Sequence, residues 1–276
     1  MRSDRLSAGF RSSVVYAAIM ATSLGALSAC GGGSAKSAGG QVAAASAGAP
    51  ADTGKQAKPL AGKVIALDPG HNGGNAAHPE IINKPVYIIT GYKECDTTGT
   101  ETDAGYSEHA FNWDVSNRLK TILESRGAKV VLTRHNDTGV GPCINQRAAV
   151  GNRAKADAAL SVHADGAARS GHGFHIIEPA PIKGHTDKTV KSSNRLALAL
   201  RAAYLKGTQI PYSTYAGKNA LDVRNDLGGL NLSTVPKVFI ETGNMQNPGD
   251  AAKLSDANFR QRIAQSLADG FSAYFS

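Results

Sequence analysis

Short apolar runs alternating with amphipathic stripes constrain what this chain can fold into more than any other feature. The runs are Val64–Leu67, Lys129–Thr133, Ala158–Val162, Phe174–Ile177 and Pro236–Ile240. Runs of this length, bounded by turn residues, read as buried strands. Between them, Phe111, Val115, Leu119 and Ile122 recur at helical spacing, as do Leu196, Leu200, Ala203 and Tyr204, and then Phe259, Ile263, Leu267 and Phe271. Each set lines one helix face. Residues 144–155 also read as helical, and residues 212–232 as loop-rich. Strands alternating with helices predict an α/β fold: a single domain with a twisted, mostly parallel β-sheet and helices on both faces. With 276 residues, 41% of them apolar, the chain can bury a core of that kind. No internal repeat interrupts the pattern.

The start of the chain has a different character. A basic beginning precedes a small-residue apolar segment from Val14 to Leu27, which has the pattern of a signal peptide and is too short for a spanning helix. Leu27-Ser28-Ala29-Cys30 resembles the lipobox of bacterial lipoproteins, which implies cleavage before Cys30, lipidation of that thiol and membrane attachment through it. An ordinary secretory cut after Ala29 and an uncleaved anchor are the alternatives. Residues 1–29 are thus expected to be a signal peptide, 30–61 a flexible Gly/Ala/Ser-rich tether, and 62–276 the functional domain. The expected location is the cell envelope, outside the cytoplasm. In an exported chain the remaining Cys95 and Cys143 are expected to pair. Such a bridge would close a long loop, worth roughly 4 kcal/mol on chain entropy.

Of the formal charge of +8, Arg2, Arg5, Arg11 and Asp4 of the leader supply +2. The remaining basic excess suits a polyanionic setting such as a nucleic acid or an anionic cell wall. No basic stripe interleaved with aromatics and no zinc-finger or RNA-binding signature is present, so no nucleic-acid partner is expected. A monomer is expected.

Three strands run directly into chemically capable residues. His71 follows Val64–Leu67 across an Asp68-Pro69-Gly70 turn, His163 follows Ala158–Val162, and Glu241 follows Pro236–Ile240. In a parallel sheet these carboxyl ends share one edge, where open α/β sheets place their ligands. Glu108 opens the Phe111–Ile122 helix on its buried face, with Ser107 as candidate N-cap. A carboxylate there can simply complement the helix dipole. One that points inward needs a donor, a cation or a metal. Two imidazoles and one carboxylate make a His2Glu set, the arrangement of hydrolytic zinc sites. Asp68 is expected to orient His71 or to brace the turn. His109, His78, His135, His172, His175 and His185 read as ordinary residues. Arg224 and Asn231 are placed either to touch a substrate or to hold their own loop.

Several segments, in order, resemble the zinc-dependent N-acetylmuramoyl-L-alanine amidases of bacterial cell walls. They are Leu67-Asp68-Pro69-Gly70-His71-Asn72-Gly73, Tyr106-Ser107-Glu108-His109, Arg147 through Asn152, Ser161-Val162-His163-Ala164-Asp165-Gly166, Gly173-Phe174, Asp226-Leu227 with Leu230-Asn231, and Ile240-Glu241-Thr242-Gly243-Asn244. The resemblance covers about residues 62–276 and is closest to mycobacterial-type members, in which a pair such as Cys95 and Cys143 forms a disulfide. It implies that His71, Glu108 and His163 bind Zn2+ and that Glu241 is the general base and then the acid. It implies peptidoglycan as substrate, cut between N-acetylmuramic acid and L-alanine, in cell-wall turnover or remodelling. Activator-dependent members carry an extra helix over the zinc. Residues 173–193 show no helical stripe, so an open site is expected, with the long segment 75–106 as the candidate cover. Two other readings share the fold. A non-catalytic wall-binding lipoprotein would lack Glu241 or a ligand, and none is missing. Another zinc peptidase acting on stem peptides would need an arginine for a free carboxylate, and none is clearly assigned to one.

Overall fold

The computed structural model describes residues 58–276; the signal peptide, Cys30 and nearly all of the expected tether lie outside them. The elements are β1 (Val64–Pro69), the single turn α1 (Pro79–Ile82), a hairpin of β2 (Pro85–Tyr87) and β3 (Tyr92–Glu94), α2 (Glu108–Ser125), β4 (Lys129–Leu132), α3 (Ile144–Arg153), β5 (Ala158–Asp165), β6 (His175–Pro179), α4 (Val190–Thr208), β7 (Leu221–Arg224), α5 (Gly228–Asn231), β8 (Lys237–Asn244), α6 (Pro248–Ser255) and α7 (Ala257–Phe275). Six strands form one sheet in the order β4-β1-β5-β8-β6-β7. The first four run parallel, β6 lies antiparallel to β8, and β7 runs parallel to β6.

The alternation within the strands decides which face carries what. Ile65 and Leu67 of β1 join Phe111, Val115, Leu119 and Leu123 of α2 in the main core, with Leu200 of α4 and Ile263, Leu267 and Phe271 of α7. Fully burying a side chain such as Phe111 or Leu119 is worth about 1.5–3 kcal/mol. Ile122, assigned to the stripe from its spacing, lies at the margin of this core, and Leu123 is fully buried instead. Leu60 also joins the core, and its amide donates to the Arg126 carbonyl, so ordered packing begins slightly before the expected boundary at 62. On the opposite face Ala66 and Ala159 are small because α3 lies close above them: a Cβ on Gly151 would stand 3.5 Å from that of Ala66. Helices therefore cover both faces, with α2, α4 and α7 on one and α3 and α5 on the other.

Three local expectations differ, and two segments gain detail. Strands β5 and β8 continue through His163 and Glu241, so these residues stand on the sheet face in register with each other. Ser107 occupies the N-cap position of α2, yet its hydroxyl caps nothing. The region 212–232 holds β7 and the turn α5, and residues 248–255 form the extra helix α6. The segment 75–106 folds into a short 3-10 turn, α1, the β2–β3 hairpin and a loop that returns to α2. Its anchor is the Cys95–Cys143 disulfide, which ties that loop to the residue before α3. Residues 180–189, between β6 and α4, form turns and no helix.

Candidate metal centre

The turn after β1 builds the first side of the site. His71 adopts a left-handed backbone, φ 57°, a conformation that costs a residue with a side chain of order 1 kcal/mol or more. Surrounding contacts hold it there. The buried Arg147 guanidinium donates to the carbonyls of Pro69 (2.7 Å) and His71 (2.9 Å) and to the carboxylates of Asp68 (3.0 Å) and Asp96 (2.8 Å). One side chain thereby locks the β1 turn to the loop beyond Cys95.

The three expected ligands meet. His71, Glu108 and His163 each offer a ligand atom, and these atoms all lie within 4.8 Å of one another. His71 Nε2 is 3.2 Å from Glu108 Oε2, and His163 Nδ1 is 2.9 Å from Glu108 Oε1. Glu108 enters from the first turn of α2 and is buried. Backbone amides of Thr100 (3.0 Å) and Ala164 (3.2 Å) donate to its two oxygens, with the Asn112 amide at 3.3 Å. These contacts answer the question its inward aim raised. The outer nitrogen of His71, Nδ1, faces the Thr97 carbonyl at 3.0 Å. A carbonyl only accepts, so Nδ1 carries a hydrogen, and Nε2 is the nitrogen turned to the cluster.

His163 lies between two flat neighbours. The Phe239 ring stacks on it at 5.3 Å, 14° from parallel. On the other side is Gly70, where any Cβ would overlap the imidazole. The glycine of the Asp68-Pro69-Gly70-His71 motif is thus required by close approach of a distant side chain.

Of the two expectations for Asp68, bracing the turn holds, through Arg147, and orienting His71 does not. It does not touch His71. Its oxygens accept from Thr133 (2.7 Å), Arg147 (3.0 Å), Lys237 (2.8 Å) and Ser161 (3.1 Å). Its carboxylate is taken up by these four donors, and it is Thr97 that orients that histidine. Burial opposes the Asp68 charge, but the Lys237 and Arg147 cations outweigh it and hold the pKa far below the aspartate range.

The electrostatics favour a cation. Burial disfavours the His71 imidazolium, yet the Glu108 charge and hydrogen bonds to Asp96 and Glu108 outweigh it and raise the pKa to about 10. Burial likewise opposes the Glu108 charge, but His71 and His163 hold its pKa well below the carboxylate range. Glu241 stands apart from this cluster, in register with His163 on one side and His175 on the other. Its Oε2 is shielded from solvent and has no hydrogen-bond partner. Burial, then the charges of Glu108 and Asp165, push its pKa well above the ordinary range. His71, Glu108, His163, Glu241 and Arg224 line one open groove, with Thr97–Thr100 along its side. A deeper cavity of about 240 Å³ shares His71, His163 and Phe239 and runs beneath the hairpin to Ile144 and Gly229.

Other residues resolve as framework. His109 pairs with Asp137 (2.9 Å), and Asn231 is buried, donating to the carbonyls of Ile88 and Asn225. Arg224 pairs with Asp226 through two hydrogen bonds of 2.8 and 2.7 Å. Four residues that shape the site were not singled out from the sequence: Thr97, Ser161, Lys237 and Phe239. For three of them the signal was the strand period, since Ser161 shares a face with His163, and Lys237 and Phe239 share one with Glu241. Thr97 lies in a loop and carries no such signal.

The donor set fits zinc. Two imidazole nitrogens and a carboxylate converge, each imidazole is braced at its other nitrogen, and a groove leaves a further position open. Fold and site together define an α/β domain with a converging His2Glu cluster at the carboxyl edge of its sheet. The chain belongs to the N-acetylmuramoyl-L-alanine amidase family, whose signature spans residues 65–273. It is 38% identical over 218 residues to the N-acetylmuramoyl-L-alanine amidase Rv3717 of Mycobacterium tuberculosis, covering 79% of this chain and 88% of that protein. The crystal structure of the amidase Ami1 from Mycobacterium abscessus, apo form, superposes with a TM-score of 0.74 at 38% identity, covering 79% of this chain and all of that one. Ami1 from Mycobacterium smegmatis gives 0.73 at 37% identity, covering 78% and 98%.

Proposed function

We propose that this chain is a zinc-dependent peptidoglycan amidase. It hydrolyses the amide between the lactyl group of N-acetylmuramic acid and L-alanine, in cell-wall turnover or remodelling. The convergence of His71, Glu108 and His163 beside a carboxylate with an unpartnered buried oxygen carries this reading. Family membership supplies the substrate class.

In this scheme His71 Nε2, His163 Nδ1 and Glu108 hold the zinc. When bound, the metal polarises the scissile carbonyl as a Lewis acid and brings the pKa of a coordinated water to about 7. Glu241 does the proton work. Its carboxylate takes a proton from the attacking water as the water oxygen bonds to the carbonyl carbon. It holds that proton and then delivers it to the alanine nitrogen as the C–N bond breaks. One carboxyl group thus serves both halves of the reaction and returns to its starting state.

Among the described residues no helix is long and apolar enough to cross a membrane. The Leu27–Cys30 motif supports membrane attachment through a lipidated Cys30, with the expected tether of 30–61 shortened at its end by the ordered packing of Leu60. Action on the wall places the domain outside the cytoplasm.

The test is digestion of purified peptidoglycan by the zinc-loaded full chain, with released peptides assayed for free L-alanine amino termini. Glu241→Gln is expected to retain zinc and lose about 10²–10⁴-fold in rate, the usual range for a general acid–base. Absence of free alanine termini, or a Glu241→Gln rate equal to the parent, refutes the scheme.

A further inference from the structure

Beneath His163 lies a buried row of polar groups that holding a cation does not by itself require. The period of β5 puts Ser161 and His163 on the same face, and Ser161 Oγ lies 3.2 Å from His163 Nε2. The same hydroxyl is 3.1 Å from Asp68 Oδ2 and 3.2 Å from the Asp68 carbonyl. A hydroxyl has one hydrogen and must place it on one of these three atoms. Two of them belong to Asp68, and neither can donate. The carboxylate is kept ionised by Lys237, Arg147 and Thr133, all within 3.0 Å. Were the Ser161 hydrogen turned toward His163, its oxygen lone pairs would face two acceptor oxygens inside the protein. Turned toward Asp68, the hydroxyl leaves a lone pair aimed at His163 Nε2. Only an N–H satisfies that lone pair, so Nε2 carries the imidazole hydrogen and Nδ1 is bare. Nδ1 is the nitrogen that faces Glu108.

Lys237 completes the row. It is a buried lysine at the start of β8, with Nζ 2.8 Å from Asp68 Oδ2 and 5.3 Å from the centre of the Phe239 ring that stacks on His163. Its charge therefore braces both the partner of Ser161 and the plate against which the imidazole rests.

We propose that Ser161 is a positioning residue: directed by Asp68 and Lys237, it fixes His163 in the tautomer whose Nδ1 is open to the metal. The two histidines are then set by different devices, His71 by a loop carbonyl and His163 by a buried serine–aspartate–lysine row. The proposal rests on the zinc reading above.

The experiment compares the full chain with Ser161→Ala and Ser161→Thr, reading zinc affinity by competition with a chromophoric chelator, melting of the metal-free protein, and long-range ¹H–¹⁵N imidazole spectra. In the zinc-loaded parent, His163 is expected to show a hydrogen on Nε2. Ser161→Ala should bind zinc about 10–100-fold more weakly, the usual loss when the outer partner of a ligating histidine is removed. Its metal-free melting temperature should move little, because Asp68 keeps three other donors. Ser161→Thr restores the hydroxyl and should restore affinity; if that variant does not fold, the parent spectrum and Ser161→Ala still decide. Unchanged zinc affinity in Ser161→Ala, or a hydrogen on His163 Nδ1 in the loaded parent, overturns the proposal while leaving the zinc reading intact. A parent that takes up no zinc overturns both.

Discussion

Gly70→Ala puts a single methyl group where the imidazole of His163 already sits. A Cβ built at Gly70 would stand 2.5 Å from both ring nitrogens and nearer still to Cε1. Ordinary carbon contacts begin near 3.5 Å, so the ring must retreat by roughly 1.4 Å. Phe239 stacks behind it and Ser161 holds its edge, so the ring cannot slide within its plane without losing both. Zinc–nitrogen bonds tolerate only a few tenths of an ångström about a length near 2.0–2.1 Å. The expected cost therefore has two parts. Overpacking of this kind costs about 1–3 kcal/mol of stability, which lowers the melting temperature by about 2–4 °C per kcal/mol in a domain of this size. Displacing one of three ligands should weaken zinc by at least about 100-fold, or roughly 2.8 kcal/mol. Differential scanning of the metal-free chain measures the first part, and chelator competition the second. A variant that folds, melts a few degrees lower and still binds zinc as the parent does would refute the account of Gly70 and of His163 as a ligand.

Two further outcomes follow from the same geometry. Asp68 has a pKa far below the aspartate range when folded and an ordinary one when unfolded. It therefore stabilises the fold fully above about pH 4, and that contribution fades as pH falls toward the folded value. Urea midpoints should decline below pH 4. Asp68→Asn should be less stable at pH 7 by about 3–5 kcal/mol, since Arg147 and Lys237 are then buried without their counter-charge, and its acid decline should be shallower; equal slopes would count against this. Replacing Cys95 and Cys143 by Ser releases a bridge of sequence separation 48, worth roughly 4 kcal/mol on chain entropy. It also loosens the loop whose Thr97 and Thr100 hold His71 and Glu108. Both melting temperature and zinc affinity should fall, and a fall in melting temperature alone would show that the loop is held without the disulfide.

The sequence by itself determined the α/β class and the residues that meet at the site. Each is written in short-range signals. Period-two and helical spacing report which face is buried, and Asp-Pro-Gly-His reports a turn at a strand end whatever surrounds it. The tertiary structure decided everything that depends on partners far apart in the chain. Asp68 reads from the sequence as the natural neighbour of His71, three residues on, but strand direction aims it across the sheet at Lys237 and Ser161. Which nitrogen of each histidine faces Glu108 depends on Thr97 and Ser161, one on a disulfide-anchored loop and the other two residues before His163 on the same strand face. The reversal of β6, which places His175 beside Glu241, has no local marker. Spacing along a chain encodes which way a side chain points relative to its own strand or helix. What it meets there is set by sheet register and by loops closed over it, and these exist only once the whole domain has folded.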